Sequence, residues 1–440
     1  MGGRARRRPP PDGEFVAEIA DLAHDGRGIA RVDGKVVFIA GALPGERVRY
    51  RLTQVRRDAD EGAVVAVESA SPDRAEPQCP HFGVCGGCVL QHLSPAAQVA
   101  FKQKQLLDAL SRIGGVAPVQ VAAPVTGPVW HYRRRARLGA KHVPKKGRVL
   151  VGFRERETPL IAAIDSCLVL DARVGRHIKA LADLIGSLSI AAQLPQIEVA
   201  CADHVVLVLR VLREPSAADR AMLSTFAAEQ GFELWLQTGG PDSIAPMGAT
   251  RTLDYSPDGG PLRLQFGPLD FVQVNGELAQ AMVRQALDWL QPQAGDRVLE
   301  LFAGLGNFTA PLAAHGARVT AVEGEAALVQ RGRANLQRNG VDAEFLRADL
   351  FQPDAQAPWL RRYYDLALLD PPRSGAREIL PALVATQPRR IVYVSCHPGT
   401  LARDAGELVR THGYTLTRAG VLDMFPHTAH VESMALFERE

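Results

Sequence analysis

From residue 297 onward the chain repeats one unit: an apolar run, then a segment long enough for a helix. The runs fall at 297–302, 317–322, 344–348, 364–369 and 389–394. Repeated strand–helix units pack as a parallel sheet with right-handed crossovers. Two more strand-like runs, 415–425 and 432–438, predict a terminal strand pair. The pattern predicts an α/β, doubly wound, Rossmann-like domain over residues 269–440.

The first unit carries a glycine turn, Leu301-Phe302-Ala303-Gly304-Leu305-Gly306-Asn307-Phe308. Glycines there let the backbone turn sharply and come close to a ligand. Acids follow the runs in order: Glu300 before the turn, then Glu323, Asp349 and Asp370. At the carboxyl ends of successive strands they would line the crevice where open α/β sheets bind ligands. A dinucleotide site wants a third glycine, and position 309 is Thr. An extra acid near the turn also disfavours a pyrophosphate. The expected ligand is nucleoside-like without phosphate, and S-adenosylmethionine fits. A nicotinamide oxidoreductase is the reading that the missing glycine disfavours.

Cys396 stands just past the fifth run, in Val394-Ser395-Cys396-His397-Pro398. Most isolated cysteines are small buried hydrophobes. This one is predicted where the cofactor crevice opens, as a nucleophile would be. His397 reads as loop packing. Glu432 begins the last run and could act as a general base. A methyl donor, a thiol and a carboxylate together suit methylation of a pyrimidine at C5. The thiolate adds to C6, C5 takes the methyl group, and the base removes the C5 proton.

Cys79, Cys85 and Cys88 are bunched in the Gly/Pro-rich stretch 71–92, and a fourth cysteine is remote. Soft thiolates select zinc or iron–sulfur clusters. Paired C-x2–4-C knuckles would indicate zinc, so three-plus-one leans towards an iron–sulfur cluster. Cys167 and Cys201 both offer the fourth thiol, though Cys201 lies in an apolar run and reads as core.

Ahead of these elements, residues 1–13 read as a flexible basic tail. Residues 14–68 hold five short β-rich runs (15–19, 28–32, 35–39, 47–52 and 63–67) with turns at Asp25-Gly26, Asp33-Gly34 and Pro44-Gly45. Five strands in so short a span predict a small OB-like β-barrel. Ser94 and Pro95 open a helix that Gly114-Gly115 ends, with Val99, Leu106, Leu107, Leu110 and Ile113 on its apolar face. Residues 119–268 read as α+β, with strands at 205–212 and 232–237 and a helix near 174–185 that Gly186 ends. With 69–93 they form an iron–sulfur-containing middle domain.

Net charge is only +3, and 7 of the 51 basic residues are lysine. Residues 131–148 hold eight Lys/Arg and no acid. Phosphate contact supplies much of nucleic-acid affinity, and Trp130 and Tyr132 are candidates to stack bases. No apolar run approaches a membrane span, and the basic start lacks the apolar core of a secretory signal. The expected location is cytoplasmic. A non-catalytic RNA-binding or iron–sulfur redox-sensing protein would explain the barrel, the strip and the cysteines, but not the acid series with Cys396.

Taken together, these residues resemble the RNA uracil-C5 methyltransferases, in the branch that acts on 23S ribosomal RNA. Residues 14–68 look like a TRAM domain through Asp25-Gly26-x-Gly28, Gly34 to Phe38 and Leu43-Pro44-Gly45-Glu46. Phe271-Val272-Gln273-Val274-Asn275, Asp370-Pro371-Pro372-Arg373 and Ser395-Cys396-x-Pro398 match the family's signatures. The resemblance implies a class I methyltransferase domain that uses S-adenosylmethionine, held by Gln273, Phe302, Asn307, Glu323, Asp349 and Asp370. It implies Cys396 as nucleophile and Glu432 as base. It also implies a 4Fe–4S cluster on Cys79, Cys85, Cys88 and Cys167, and a segment 94–118 that packs with the catalytic domain. One departure is Ala303, where relatives often carry Cys. The implied partner is 23S ribosomal RNA, with no membrane and no obligate protein partner. A dual-site relative has the same modules, so the target uridine stays open.

Overall fold

The computed structural model describes residues 10–439. Of the stretch read as a basic tail, residues 1–9 lie outside them. The chain divides into two compact units. One holds residues 10–101 with 155–158 and 426–429; the other holds the remaining described residues.

In the first unit a six-stranded sheet runs in the order Phe15–Glu18, Arg47–Gln54, Ala59–Ser69, Lys35–Ala40, Gly28–Val32, Asp21–Leu22. It wraps a core of Ala17, Ile19, Ala30, Val37, Ile39, Ala42, Val48 and Tyr50. Asp33 and Gly34, with φ of 50° and 81°, make the two-residue turn between Gly28–Val32 and Lys35–Ala40. Positive φ at both positions matches the right-handed twist of the strands. Six strands replace the five expected. Asp21–Leu22 is too short to show as an apolar run, and the last strand starts at Ala59, where Asp60 and Glu61 mask its pattern.

The helix opening at Pro95 is α-helical to Ala109, then widens into a π turn, Leu110–Gly114. The Ser94 hydroxyl accepts the Ala97 N–H at 3.4 Å. Its buried face differs from the expected one. Ile113 is exposed, and Val99 and Leu107 are half-buried. Leu106 and Leu110 are buried as expected, but Gln98 and Lys102 complete their i+4 stripe in place of Val99, Leu107 and Ile113, with Phe101 buried beside it. Lys102 is fully enclosed; its ammonium donates to Asp423 at 2.6 Å and to the Phe425 carbonyl at 2.9 Å. A lysine is tolerated at such a position only because each charge is compensated.

The second unit contains two large sheets. A six-stranded sheet has the order Ile244–Pro246, Phe232–Gln237, Val205–Arg210, Gln196–Cys201, Arg135–Val143, Arg148–Gly152. The helix expected to stop at Gly186 runs Ile178–Ser187, with that glycine inside its last turn. An eight-stranded sheet has the order Glu344–Arg347, Arg318–Glu323, Arg297–Leu301, Leu366–Leu369, Arg390–Ser395, Glu432–Glu438, Thr415–Leu422, Gln120–Val121. Its first five strands are parallel, and the pair Thr415–Leu422 and Glu432–Glu438 is antiparallel. Leu106 and Leu110 pack into the same core as Leu299, Leu369, Ile391 and Leu401. Burying such a leucine is worth about 1.5–3 kcal/mol, so the segment's docking is a substantial part of this core. No helix among the described residues is long and apolar enough to cross a membrane.

Candidate active site

The parallel strands all end on one side of the eight-stranded sheet, and a cavity of about 1940 Å³ opens there. Gln273, Phe302, Asn307, Glu323, Asp349, Asp370, Cys396 and Glu432 all line it. Strand ends explain most of that convergence. Glu323 closes Arg318–Glu323, Asp349 follows Glu344–Arg347, Asp370 follows Leu366–Leu369, and Cys396 follows Arg390–Ser395. Glu432 arrives from the opposite direction. Ser395 pairs with Ser433 in the antiparallel register, so the next position along each strand sets Cys396 opposite Glu432.

The glycine turn shapes the floor. Phe302, Gly304 and Gly306 have φ of 62°, 56° and 90°. A phenylalanine in that region is strained, and such strain concentrates at functional sites. The turn is tied down by Glu323, whose carboxylate accepts the Gly304 and Glu325 N–H groups at 3.0 Å each. Phe302 faces Phe351 at 5.8 Å between ring centroids, and both line the cavity.

Glu300 departs from the expected acid series. It is buried, and it accepts the Thr309 hydroxyl at 2.6 Å beneath the turn rather than lining the cavity. Burial pushes its carboxyl up to about 8. Strand alternation is the cause: Glu300 is paired one residue short of its strand's end and points across the sheet, whereas Glu323 closes its strand and Asp349 and Asp370 stand past theirs.

The reacting groups lie in an unusual field. Burial pushes Asp370 up to about 7. Burial, and then the charge of Asp370, raises Glu432 well above the usual carboxylate range. Cys396 rises to about 11 through burial and then the charges of Glu432 and Asp370, while Arg373 pulls it down. The thiol is therefore protonated in this pocket at neutral pH, unlike the low-pKa thiolate that a nucleophile is expected to be. The sign is set by its neighbours: each carboxylate that becomes neutral lowers the thiol. Cys201, by contrast, is buried among strand residues and pushed up to about 12, as an inert core thiol should be. His397 caps the helix Pro398–Arg410, its Nδ1 accepting the Thr400 N–H at 3.2 Å.

Several residues at the site were not legible from motifs. Tyr255 lines the cavity and donates its hydroxyl to Asn307 at 3.2 Å. Arg134 lies over the Tyr255 ring at 4.6 Å and donates to the Gln273 carbonyl at 2.8 Å. In the sequence it stood in the basic strip, where only its charge was visible. Arg135 is likewise committed to backbone carbonyls, Tyr132 is buried, and Arg137 pairs with Glu198. The exposed remainder of the strip is the hairpin carrying Lys141, Lys145, Lys146 and Arg148. Arg373 donates to His430 Nδ1 at 3.0 Å, and both line the cavity. Burial and then Arg373 lower His430, keeping the ring neutral.

Cys79, Cys85 and Cys88 lie in irregular chain, each half-buried. Burial raises the Cys85 thiol, the Gly87 N–H pointing at its sulfur from 3.5 Å lowers it, and Cys79 is close enough to raise it further. Cys167 is buried in the second unit. Among the described residues, no group of three or more His, Cys, Asp or Glu side chains is arranged to hold a metal ion.

The model of the tRNA (uracil-5-)-methyltransferase family matches residues 262–349 and 359–440, and the TRAM domain model matches residues 14–65. A 23S rRNA (uracil(1939)-C(5))-methyltransferase RlmD of Alkalilimnicola ehrlichii is 54% identical over 444 residues, covering 100% of this chain and 99% of the relative. The protein of the same name from Methylococcus capsulatus is 50% identical over 443 residues, with 100% of both chains covered. Among solved structures, the Pyrococcus abyssi tRNA (uracil-54, C5)-methyltransferase in complex with S-adenosyl-L-homocysteine aligns with a TM-score of 0.74 at 25% identity. That alignment covers 96% of this chain and 100% of the other.

Proposed function

The chain belongs to the 23S rRNA (uracil-C5)-methyltransferase family, and from that premise we propose that it methylates C5 of one uridine in 23S rRNA, the position numbered 1939 in its relatives' names, with Cys396 as nucleophile and Glu432 as base. It is an S-adenosylmethionine-dependent RNA methyltransferase, with a TRAM domain as an RNA-binding module. The observation that carries the catalytic reading is the register that faces Cys396 with Glu432 at the rim of a cavity lined by Glu323, Asp349 and Gln273.

The cavity's donor set fits S-adenosylmethionine. Carboxylates at strand ends accept from ribose hydroxyls and an ammonium group, and the Phe302–Phe351 pair offers an apolar wall to an adenine. When bound, S-adenosylmethionine supplies an electrophilic methyl carbon. Cys396 first gives its thiol proton to water, then adds as the thiolate to uracil C6, and the electron pair of the C5–C6 bond moves into an enolate. C5 then bonds the methyl carbon as the carbon–sulfur bond to that methyl group breaks, its electron pair staying on the sulfur of the departing S-adenosylhomocysteine. Glu432 takes the C5 proton, the double bond re-forms, and the Cys396 thiolate leaves. Each group has one task, and the proton removed from C5 ends on Glu432, whose affinity for protons burial and the charge of Asp370 raise.

The same reading assigns domains: 14–68 for RNA binding, 69–93 with 119–268 as a central domain, 94–118 as a helix serving the catalytic core, and 269–440 for methyl transfer. The exposed hairpin at 141–148 is assigned to phosphate contact. An enzyme acting on ribosomal RNA works in the cytoplasm. Cells lacking this protein should yield 23S rRNA missing one 5-methyluridine, scored by mass spectrometry of nuclease fragments. Unchanged methylation at every uridine would overturn the assignment.

For the cysteines, we assign Cys79, Cys85, Cys88 and Cys167 to a 4Fe–4S cluster. The set fits in chemistry: four soft thiols, with a backbone N–H already directed at one sulfur, as cluster sulfurs commonly receive. The cluster would order irregular chain rather than take part in methyl transfer. Cys85→Ser is expected to lose the brown absorbance of the cluster, yet to bind S-adenosylmethionine with unchanged affinity by calorimetry. Loss of that affinity would contradict the separation.

A further inference from the structure

The loop that follows Asp370, residues 371–376, carries Arg373, the cation that pulls the Cys396 thiol down. It forms no helix or strand, and its own backbone supplies one turn, the Gly375 N–H donating to the Pro372 carbonyl at 2.9 Å. It is held from the helix Pro398–Arg410, which starts two residues after Cys396. Asp404 is the centre of that attachment. It is fully buried, and its Oδ2 accepts the Ala376 N–H at 2.8 Å and the Tyr393 hydroxyl at 2.7 Å. Its Oδ1 accepts Arg403 Nε at 2.8 Å, and Arg403 Nη2 donates onward to the Ser374 carbonyl at 2.9 Å. One helical turn nearer Cys396, the Thr400 hydroxyl donates to the Arg373 carbonyl at 3.1 Å.

Gly375 shows how closely the two pieces approach. Its φ is 83°, and a Cβ there would lie 2.6 Å from both Asp404 Oδ2 and Arg403 Nη2. The loop therefore lies directly on the carboxylate with no room for a side chain. The arrangement is also over-determined, because Tyr393 comes from the strand that ends at Ser395, one residue before Cys396. Loop, strand and helix meet at one buried acid.

We propose that Asp404 is a positioning residue for the reactive thiol: by clamping the 371–376 loop to the helix and strand that flank Cys396, it fixes Arg373 at the wall of the cavity that Cys396 also lines. The proposal rests on the reading of Cys396 as nucleophile. The charged groups facing Cys396 are Glu432, Asp370 and Arg373, and the one facing Arg373 is His430. Those facing Asp404 are Arg403 and the Tyr393 hydroxyl. The sign of the effect separates positioning from simple electrostatics. Removing a nearby negative charge lowers a thiol pKa. Releasing Arg373 raises it.

The test is peptide-resolved iodoacetamide labelling of Cys396 across pH in the full chain, alongside methylation kinetics on a 23S rRNA fragment. Asp404→Asn should shift the Cys396 labelling midpoint upward, and kcat should fall about 10- to 100-fold, the scale of a small misplacement in a site. Calorimetric affinity for S-adenosylmethionine should stay within about twofold, since Gln273, Phe302, Asn307, Glu323 and Asp349 line the cavity from other segments. Tyr393→Phe should shift the midpoint the same way by less, and Gly375→Ala by as much; these two carry the test should Asp404→Asn fail to fold. A midpoint that is unchanged or lowered across the folded variants overturns the proposal. If Cys396→Ala itself retains turnover, the nucleophile reading has failed instead, and the labelling midpoints still report whether Asp404 places Arg373.

Discussion

Cys396→Ala is expected to abolish methyl transfer while leaving the cofactor site intact. Uracil C5 is a poor carbon nucleophile, and it attacks a methyl group only once addition at C6 has turned the ring into an enolate. Among the described residues no other cysteine lines the cavity, so none of them offers a second thiol for the role. Removal of a covalent nucleophile elsewhere costs up to about 10⁶-fold in kcat, and a loss of at least about 10⁴-fold is expected here. Affinity for S-adenosylmethionine should change little, because Glu323, Asp349, Asn307 and Gln273 line the cavity independently of the sulfur. Incorporation of labelled methyl groups into an rRNA fragment measures the first, and calorimetric titration the second. Turnover at the unsubstituted rate would remove Cys396 from the chemistry.

Much of this architecture was legible because its signals are local. The five apolar runs of the parallel sheet were placed to within two residues of the observed strands, since buried parallel strands read as continuous apolar stretches. The residues at their ends followed from the same registration, and it brings eight predicted positions to one cavity. What the sequence hid depends on distant partners. Lys102 looks like a surface lysine until Asp423, 321 positions away, is placed beside it. Arg134 looks like a nucleic-acid contact until the Gln273 carbonyl and the Tyr255 ring are seen to occupy it. Glu300 looks like a fourth member of the acid series, because a strand's end cannot be told from its middle by composition alone. The protonated state of Cys396 was hidden for the same reason: it is set by Glu432 and Asp370, 36 and 26 positions distant in the sequence.

Glu432→Gln is expected to trap the enzyme on its RNA. The base acts after the methyl group has moved, so thiol addition and methyl transfer do not require it. The amide also places no negative charge beside Cys396, so it does not hinder the first step. The variant should therefore form the C6 adduct readily, methylate C5, and then stop, with the C5 proton in place and the sulfur still bonded. Turnover should fall by about 10²- to 10⁴-fold, the usual contribution of a positioned base. A covalent protein–RNA band should accumulate on a denaturing gel to a large fraction of the enzyme. That band should carry the labelled methyl group, and it should be absent from Cys396→Ala,Glu432→Gln. The double variant also separates a bond through Cys396 from capture by another side chain. A single variant that turns over normally, or one that stalls without any covalent band, would show that the C5 proton leaves by a route that does not involve Glu432.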